Sequence, residues 1–177
     1  MFYIKKILLL IIIVFIFTLT TKSDSLTIPE DALRFRVIAN SNNIEDQEIK
    51  LKVKDNLEKK IYFFLKEAET LTDAKDILSQ NLTYLDESVS STLLANNFNY
   101  GHSINLGLNK FPNKEYKGVI YEEGNYDSLV VTLGNGKGDN WWCVLFPPLC
   151  LLEGEENSKD DIEYQFYVKK LINKYMK

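Results

Sequence analysis

Hydrophobic and polar positions follow a strand period and then a helix period in the first half of this chain. Apolar and polar residues alternate over residues 33–40, a pattern typical of a half-buried strand. Over residues 44–68 apolar residues recur every three or four positions, which predicts an amphipathic helix. The same spacing returns over residues 72–97, where Asn81 could divide the segment into two helices. We therefore expect one strand followed by two or three helices.

The second half of the chain returns to a period of two before a last helix. A glycine-rich loop at residues 134–140 precedes an apolar run, and helical spacing appears again from Ile162 to Tyr175. Because strands and helices are segregated along the chain, we expect an α+β fold. Its mainly antiparallel sheet would carry helices on one face, within a single domain. The strands of this half are predicted at residues 103–108, 119–121, 129–133 and 141–146.

The N-terminus has the pattern of an export signal. Lys5 and Lys6 precede the apolar run Ile7–Leu19, and small polar residues follow it. This run of 13 residues is shorter than the roughly 20 apolar residues that a membrane-spanning helix needs. A signal peptide is the simpler interpretation, and an uncleaved N-terminal membrane anchor is the alternative. Either one places the remaining chain outside the cytoplasm.

The chain is accordingly divided into four parts. Pro29 would interrupt any helix that continues from the N-terminal segment, which indicates a short linker. Acidic residues dominate the stretch just before the last helix, and they predict a solvated loop. The predicted parts are a signal peptide or membrane anchor at 1–23, a linker at 24–32, the main domain at 33–152, and an acidic loop with a C-terminal helix at 153–177.

Composition and charge exclude several classes of function. The chain has 21 Lys and Arg against 25 Asp and Glu, a formal net charge of −4, unlike the basic footprint of nucleic-acid-binding proteins. Cleavage after Ser23 would make the exported part still more acidic, which disfavours docking on anionic lipid. Membrane contact is therefore expected only through the N-terminal segment. One His and two Cys leave too few ligands for most multi-ligand metal sites, so no metal and no cofactor are predicted.

Residues with catalytic potential lack the partners that catalysis requires. In the glycine-rich loop, Gly138 follows Lys137 where a phosphate-binding loop needs Ser or Thr. Asp139 occupies the position where a dinucleotide fingerprint needs its third glycine. His102 is the only histidine, and no catalytic signature surrounds it. The sequence therefore predicts no catalytic residue, and we do not expect the protein to be an enzyme.

Cys143 and Cys150 flank a segment that contains Pro147 and Pro148. In an exported protein two cysteines are more often bonded than free, and a Pro-Pro turn could bring the sulfur atoms together. The alternative is a pair of buried thiols that pack as small apolar side chains. We expect the disulfide.

Residues 140–150, Asn-Trp-Trp-Cys-Val-Leu-Phe-Pro-Pro-Leu-Cys, form the most unusual motif of the chain. This motif resembles the signature of the stage II sporulation protein R family. Other blocks resemble the same family in the same order, and together they cover about residues 28–152. These blocks are Ile28-Pro29, residues 33–41, 45–47 and 50–55, Phe111-Pro112 with Tyr116, Gly124, and residues 126–138.

The resemblance implies a role in signalling between compartments during endospore formation. Members of this family are made in the forespore and exported into the space between the forespore and mother-cell membranes. There they activate a membrane-embedded aspartic peptidase, stage II sporulation protein GA, which processes pro-sigma-E. Such a ligand acts through protein–protein contacts, and aromatic residues are common at the centre of such contacts. The candidate interaction residues are Asn140, Trp141, Trp142, Phe146, Pro147 and Pro148.

Two alternatives stay open at the level of the sequence. Strand alternation places Trp141 and Trp142 on opposite faces, so one of them could belong to the core. The protein could also be an extracytoplasmic domain that binds or hydrolyses the cell wall. Incubation with peptidoglycan would distinguish these functions, because a hydrolase releases fragments, a wall-binding module is retained, and a signalling ligand does neither.

Overall fold

The computed structural model describes Lys6 and residues 26–28, 31–116, 119–149 and 161–175. The rest of the predicted export signal, Pro29, Cys150 and most of the predicted acidic loop lie outside the described residues. In chain order the described elements are β1 (Leu26–Thr27), β2 (Leu33–Ile38), α1 (Ile44–Leu65), α2 (Leu71–Gln80), α3 (Leu82–Ala95), β3 (His102–Phe111), β4 (Lys114–Tyr116), β5 (Val119–Tyr121), β6 (Gly124–Leu133), β7 (Asn140–Phe146) and α4 (Asp161–Tyr175).

The main sheet has four strands in the order β3-β6-β2-β7. β6 pairs antiparallel with β3, and β7 pairs antiparallel with β2. The central pair, β2 with β6, is parallel, and the connection through α1 to α3 and β3 to β5 is long enough for the crossover that a parallel pair requires. A smaller sheet has the order β1-β5-β4. The predicted α+β fold with a mainly antiparallel sheet is therefore confirmed.

The helices α1, α2 and α3 cover one face of the main sheet, which we call the helix face. Alternation along β2 directs Leu33, Phe35 and Val37 to this face, and all three are fully buried. Each buried aliphatic or aromatic side chain contributes about 1.5–3 kcal/mol to folding, so this layer supplies much of the stability. The residues of α1 buried in the same core are Ile49, Val53, Leu57, Ile61 and Leu65.

The helical boundaries have local causes. Asn81 ends α2 and precedes α3, so the predicted division of the second helical segment is confirmed. Thr70 caps α2, two residues before the helical spacing of residues 72–97 begins. Its side chain accepts from the Asp73 backbone N–H, while the Asp73 carboxylate accepts from the Thr70 N–H. At the start of α1, Asn43 occupies the cap position without a side-chain capping bond.

A second apolar cluster lies around Val144, on the other face of the main sheet. β1, β5 and α4 contribute to this cluster, so α4 is the one described helix that contacts this side. Part of the predicted linker is therefore ordered, since Leu26 and Thr27 form β1 and Ile28 is 2% exposed. Among the described helices, none combines the length and the apolar character needed to span a bilayer. The buried members of the cluster are Ile28, Ala32, Val119, Val144, Leu149, Val168 and Leu171.

Candidate functional site

The two tryptophans of the predicted signature lie on opposite faces of β7. Trp141 is the register partner of Val37, and its ring lies 5.5 Å from the Phe35 ring on the helix face. Trp142 is the register partner of Arg36 on the opposite face, where its ring lies 5.3 Å from the ring of Phe111. Both tryptophans are half-buried. Trp141 therefore packs in the core beneath the helices, whereas Trp142 lies on the opposite face of the sheet.

The remaining candidate interaction residues divide into buried and accessible positions. Asn140 is half-buried at the start of β7. Phe146 is 2% exposed, with its ring 5.3 Å from that of Tyr175, and Pro147 is also buried after a cis peptide bond. Pro148 is half-buried and lines a cavity of about 180 Å³. Phe146 and Pro147 thus lie in the interior, and a partner would reach the other members first.

Cys143 lies on the helix face, and it is 8% exposed. Among the described residues no cysteine is a free thiol. The expected partner, Cys150, lies outside the described residues, so its pairing with Cys143 stays a prediction.

A cluster of cations and aromatic rings occupies the sheet face opposite α1 to α3. We call Arg34, Arg36, Phe111, Tyr126 and Trp142 the arginine face. The guanidinium carbon of Arg34 lies 3.3 Å from the centroid of the Tyr126 ring and 5.4 Å from that of Phe111. The guanidinium carbon of Arg36 lies 4.9 Å from the Phe111 centroid. Each guanidinium is therefore in cation–π contact with at least one ring.

The two guanidinium groups have few hydrogen-bond acceptors. Arg34 is 1% exposed, and its Nε, Nη1 and Nη2 atoms have no hydrogen-bond partner. The Nε of Arg36 is also buried without a partner, and its Nη1 donates only a long bond of 3.4 Å to the Lys110 carbonyl. Burial lowers the pKa of Arg34, although Tyr126 and Tyr121 oppose this, and burial likewise lowers the pKa of Arg36. Within the described part of the chain, no carboxylate pairs with either arginine.

Sequence reasoning missed this cluster. Alternation along β2 correctly places Arg34 and Arg36 on the face away from the core, but it suggests a solvated position for both. Arg34 is instead enclosed, because rings from β3 and β6 cover it. No local motif signals this, since Phe111, Tyr126 and Trp142 come from three separate strands. Only the sheet order brings them to the two arginines.

A polar network surrounds Asp46 at the start of α1. The Asp46 carboxylate, 6% exposed, accepts bonds from Asn40 Nδ2 at 2.8 Å, Ser41 Oγ at 2.6 Å and the Tyr100 hydroxyl at 2.9 Å. Burial alone would raise the pKa of Asp46, but the hydrogen bonds from Ser41, Asn40 and Tyr100 lower it overall. Burial and the adjacent carboxylate raise the pKa of Tyr100. We call Asp46, Asn40, Ser41 and Tyr100 the Asp46 network.

The glycine-rich loop is attached to this network. The Asn135 backbone N–H donates to Asn40 Oδ1 at 2.9 Å, and the Gly138 N–H donates to the Ala39 carbonyl at 2.9 Å. A Cβ atom at Gly138 would collide with the carbonyl oxygen of Ser41, so this close approach requires glycine. These contacts give the loop a structural role between β6 and β7.

His102 has one carboxylate partner. Its Nε2 lies 2.8 Å from Asp86 Oδ1, and the imidazole is largely buried. In the part of the chain that the structure describes, no three His, Cys, Asp or Glu side chains gather where they could hold a metal ion.

Comparisons with known proteins decide the family. The family model described as stage II sporulation protein R matches residues 29–156 of this chain. The chain belongs to the stage II sporulation protein R family. Stage II sporulation protein R of Bacillus subtilis (strain 168) is 34% identical over 133 residues, which cover 75% of this chain and 59% of that relative. The chain therefore spans about three-fifths of the length of the relative, and no solved structure matches it significantly.

The family match includes every element that builds the two polar clusters. Residues 29–156 contain the strands of the arginine face and the loop and helix of the Asp46 network. The family therefore has a role in sporulation, as its name states, and both clusters lie within its common domain.

Proposed function

We propose that this protein is an exported signal that activates a membrane-embedded aspartic peptidase, stage II sporulation protein GA, during endospore formation. It would be secreted from the forespore into the space between the two membranes, where the peptidase would respond by processing pro-sigma-E. The single observation that carries this proposal is membership of the stage II sporulation protein R family over most of the chain.

Action by binding, without catalysis, fits the surface chemistry of the described domain. Trp142 lies half-buried at the margin of the arginine face, and the Lys114 ammonium sits 5.1 Å from its ring centroid on the solvent side. Aromatic and arginine side chains are enriched at the centres of protein–protein contacts. The side of β7 that carries Trp142 is therefore our candidate for the receptor-contact surface.

Reconstitution tests the proposed function directly. The peptidase and pro-sigma-E are co-expressed in a bacterium that does not sporulate. This protein is either absent or exported to the side of the membrane that faces away from pro-sigma-E. Processing of pro-sigma-E is expected only when all three are present. His102→Ala is the control for a hidden catalytic role, and it should support normal processing. Loss of processing by folded His102→Ala protein would contradict the ligand proposal.

Alanine substitutions of the two tryptophans distinguish a role in folding from a role in receptor contact. Trp141→Ala should lower the free energy of unfolding by about 2–4 kcal/mol, because its ring packs on Phe35 in the main core. Trp142→Ala should leave a folded protein with impaired processing, because Trp142 lies at the margin of the other face. Thermal unfolding of each variant accompanies the processing assay. Folded Trp142→Ala protein with full activity would remove this surface from consideration.

A further inference from the structure

We propose that the arginine face is a binding site for an acidic side chain, Asp or Glu, of a partner protein. The starting observation is that Arg34 is 1% exposed while its three guanidinium nitrogens have no hydrogen-bond partner. A buried charge without a counter-charge is costly, and buried arginines in proteins are normally paired. Among the described residues the site therefore holds only cations, and the carboxylate of the partner would supply the anion.

The accessible edge of the site is formed by Arg36, Trp142 and Lys114. Arg36 and Trp142 are half-buried register partners on adjacent strands, so their side chains leave the sheet on the same side. Lys114 is exposed over the Trp142 ring. An incoming anion would meet Lys114 and Arg36 first, with the charge of Arg34 behind them. The nearby cation Lys110 is already paired with Glu123 at 3.0 Å.

The shape and chemistry of the site favour a carboxylate. A guanidinium presents its N–H donors in one plane, which matches the two oxygens of a carboxylate. The rings of Phe111 and Tyr126 wall the site and are 0% and 4% exposed, so they would exclude water from a bound ion pair. Because Arg36 and Trp142 are half-buried, a carboxylate on a flexible stem can reach Arg36 more easily than one attached to the backbone.

A protein is a better source of this carboxylate than a lipid surface or an anionic wall polymer. The chain has a net charge of −4, which repels extended polyanions. A single acidic side chain that enters between aromatic walls avoids this repulsion because it contacts only the local cations. The ligand chemistry follows from Arg34 and Arg36 alone; that the partner is the sporulation peptidase rests on the proposed function.

Binding is tested on the isotope-labelled full chain with short peptides. The probe is an acetylated, amidated Gly-Glu-Gly peptide, and its matched control has Gln in place of Glu. The indole N–H of Trp142 and the Nε–H signals of both arginines report on the site in NMR spectra. We expect the Glu peptide to shift these signals saturably and the Gln peptide to leave them unchanged. Equal shifts from both peptides would overturn the proposal.

Substitutions test which residues bind the Glu peptide. Arg36→Met should weaken binding of the Glu peptide at least about tenfold. Arg36→Lys keeps the charge without the planar donors, so it should bind with intermediate affinity. Lys75→Met removes one positive charge from the helix face and should bind like the wild type. The NMR spectrum of each variant also shows that it is folded. Unchanged binding by folded Arg36→Met protein would overturn the proposal.

Two further control ligands test whether the arginine face binds an anion other than an acidic side chain. A Gln peptide with a free C-terminal carboxylate, or vesicles that contain phosphatidylglycerol, could shift the same signals. If either does so while the amidated Glu peptide does not, the acidic side chain is the wrong ligand. Failure of the peptidase reconstitution together with normal binding of the Glu peptide would reject only the proposed function.

Discussion

Asp46 and Arg34 are both charged and buried, but they differ in the hydrogen bonds that their side chains make. Asp46 is 6% exposed and accepts three side-chain hydrogen bonds. Arg34 is 1% exposed and donates none. A charge whose hydrogen bonds are all made within the chain supports the fold. A buried charge that lacks such hydrogen bonds weakens the fold.

The surroundings of the two groups explain the difference. Two of the donors to Asp46, Asn40 and Ser41, lie within six residues of it in sequence, so a tight turn brings them together. Arg34 is surrounded instead by aromatic rings, which offer cation–π attraction and no strong acceptor. The carboxylate of Asp46 therefore has hydrogen-bond donors from its own chain, whereas the guanidinium of Arg34 has no acceptor among the described residues.

Asp46→Ala should have the largest effect on stability. It removes the shared acceptor of Asn40, Ser41 and Tyr100 and leaves partly buried donors unpaired. We expect the free energy of unfolding, measured by urea denaturation, to fall by about 3 kcal/mol.

Asp55→Ala, in the same helix, is the matched control for this substitution. The Asp55 side chain is 61% exposed, and its pair with Lys54 lies at the surface. Its loss should change stability by less than about 0.5 kcal/mol. Similar losses in the two variants would contradict the structural role of the Asp46 network.

Acidification should remove part of the same stabilisation. The pKa of Asp46 is lower in the folded protein than its ordinary value of 3.8. The stabilisation is therefore fully present above pH 3.8 and is lost as the pH falls below that value toward the folded pKa. The comparison with Asp46→Asn isolates this effect, because other titrating groups such as Glu58 are common to both proteins. The wild type should lose its advantage over Asp46→Asn in acid; a constant difference would refute the assignment.

Arg34→Met should have a small effect of the opposite sign. Replacing a buried, unpaired charge by an apolar side chain of similar length is often neutral or stabilising by about 1 kcal/mol or more. Lost cation–π contact with Tyr126 and Phe111 opposes this gain. We expect a change in unfolding free energy between zero and about +1 kcal/mol. A loss above about 2 kcal/mol would mean that Arg34 is structural, like Asp46.

The sequence predicts the architecture better than it predicts the site. Hydrophobic period locates β2 and the three helices before β3, and a continuous apolar run locates β7, which is buried on both faces from Cys143 to Phe146. Hydrophobic period does not locate β4, which is only three residues long. Gly124-Asn125 has the composition of a turn, although β6 begins there. Short pairings depend on neighbouring strands, so their own sequence carries little signal.

The two charged clusters are also difficult to predict from the sequence. Asn40, Ser41 and Asp46 lie close in sequence, but their connection to Tyr100 and Asn135 depends on the tertiary fold. The arginine face depends entirely on strand order, since its residues come from four strands of the main sheet. A signature motif can therefore be recognised in the sequence before its partners in space can be named.

Lys75→Met should also have a small effect, and it provides a surface reference for both buried charges. The Lys75 ammonium lies 2.6 Å from Asp127, but the two side chains are 41% and 27% exposed. Solvent screens such a pair, so its loss should change the unfolding free energy by less than about 1 kcal/mol. Added salt should reduce the small difference between variant and wild type, because exposed pairs are screened. If Lys75→Met instead cost as much as Asp46→Ala, then burial and hydrogen bonding would not be what distinguishes the charges of this protein.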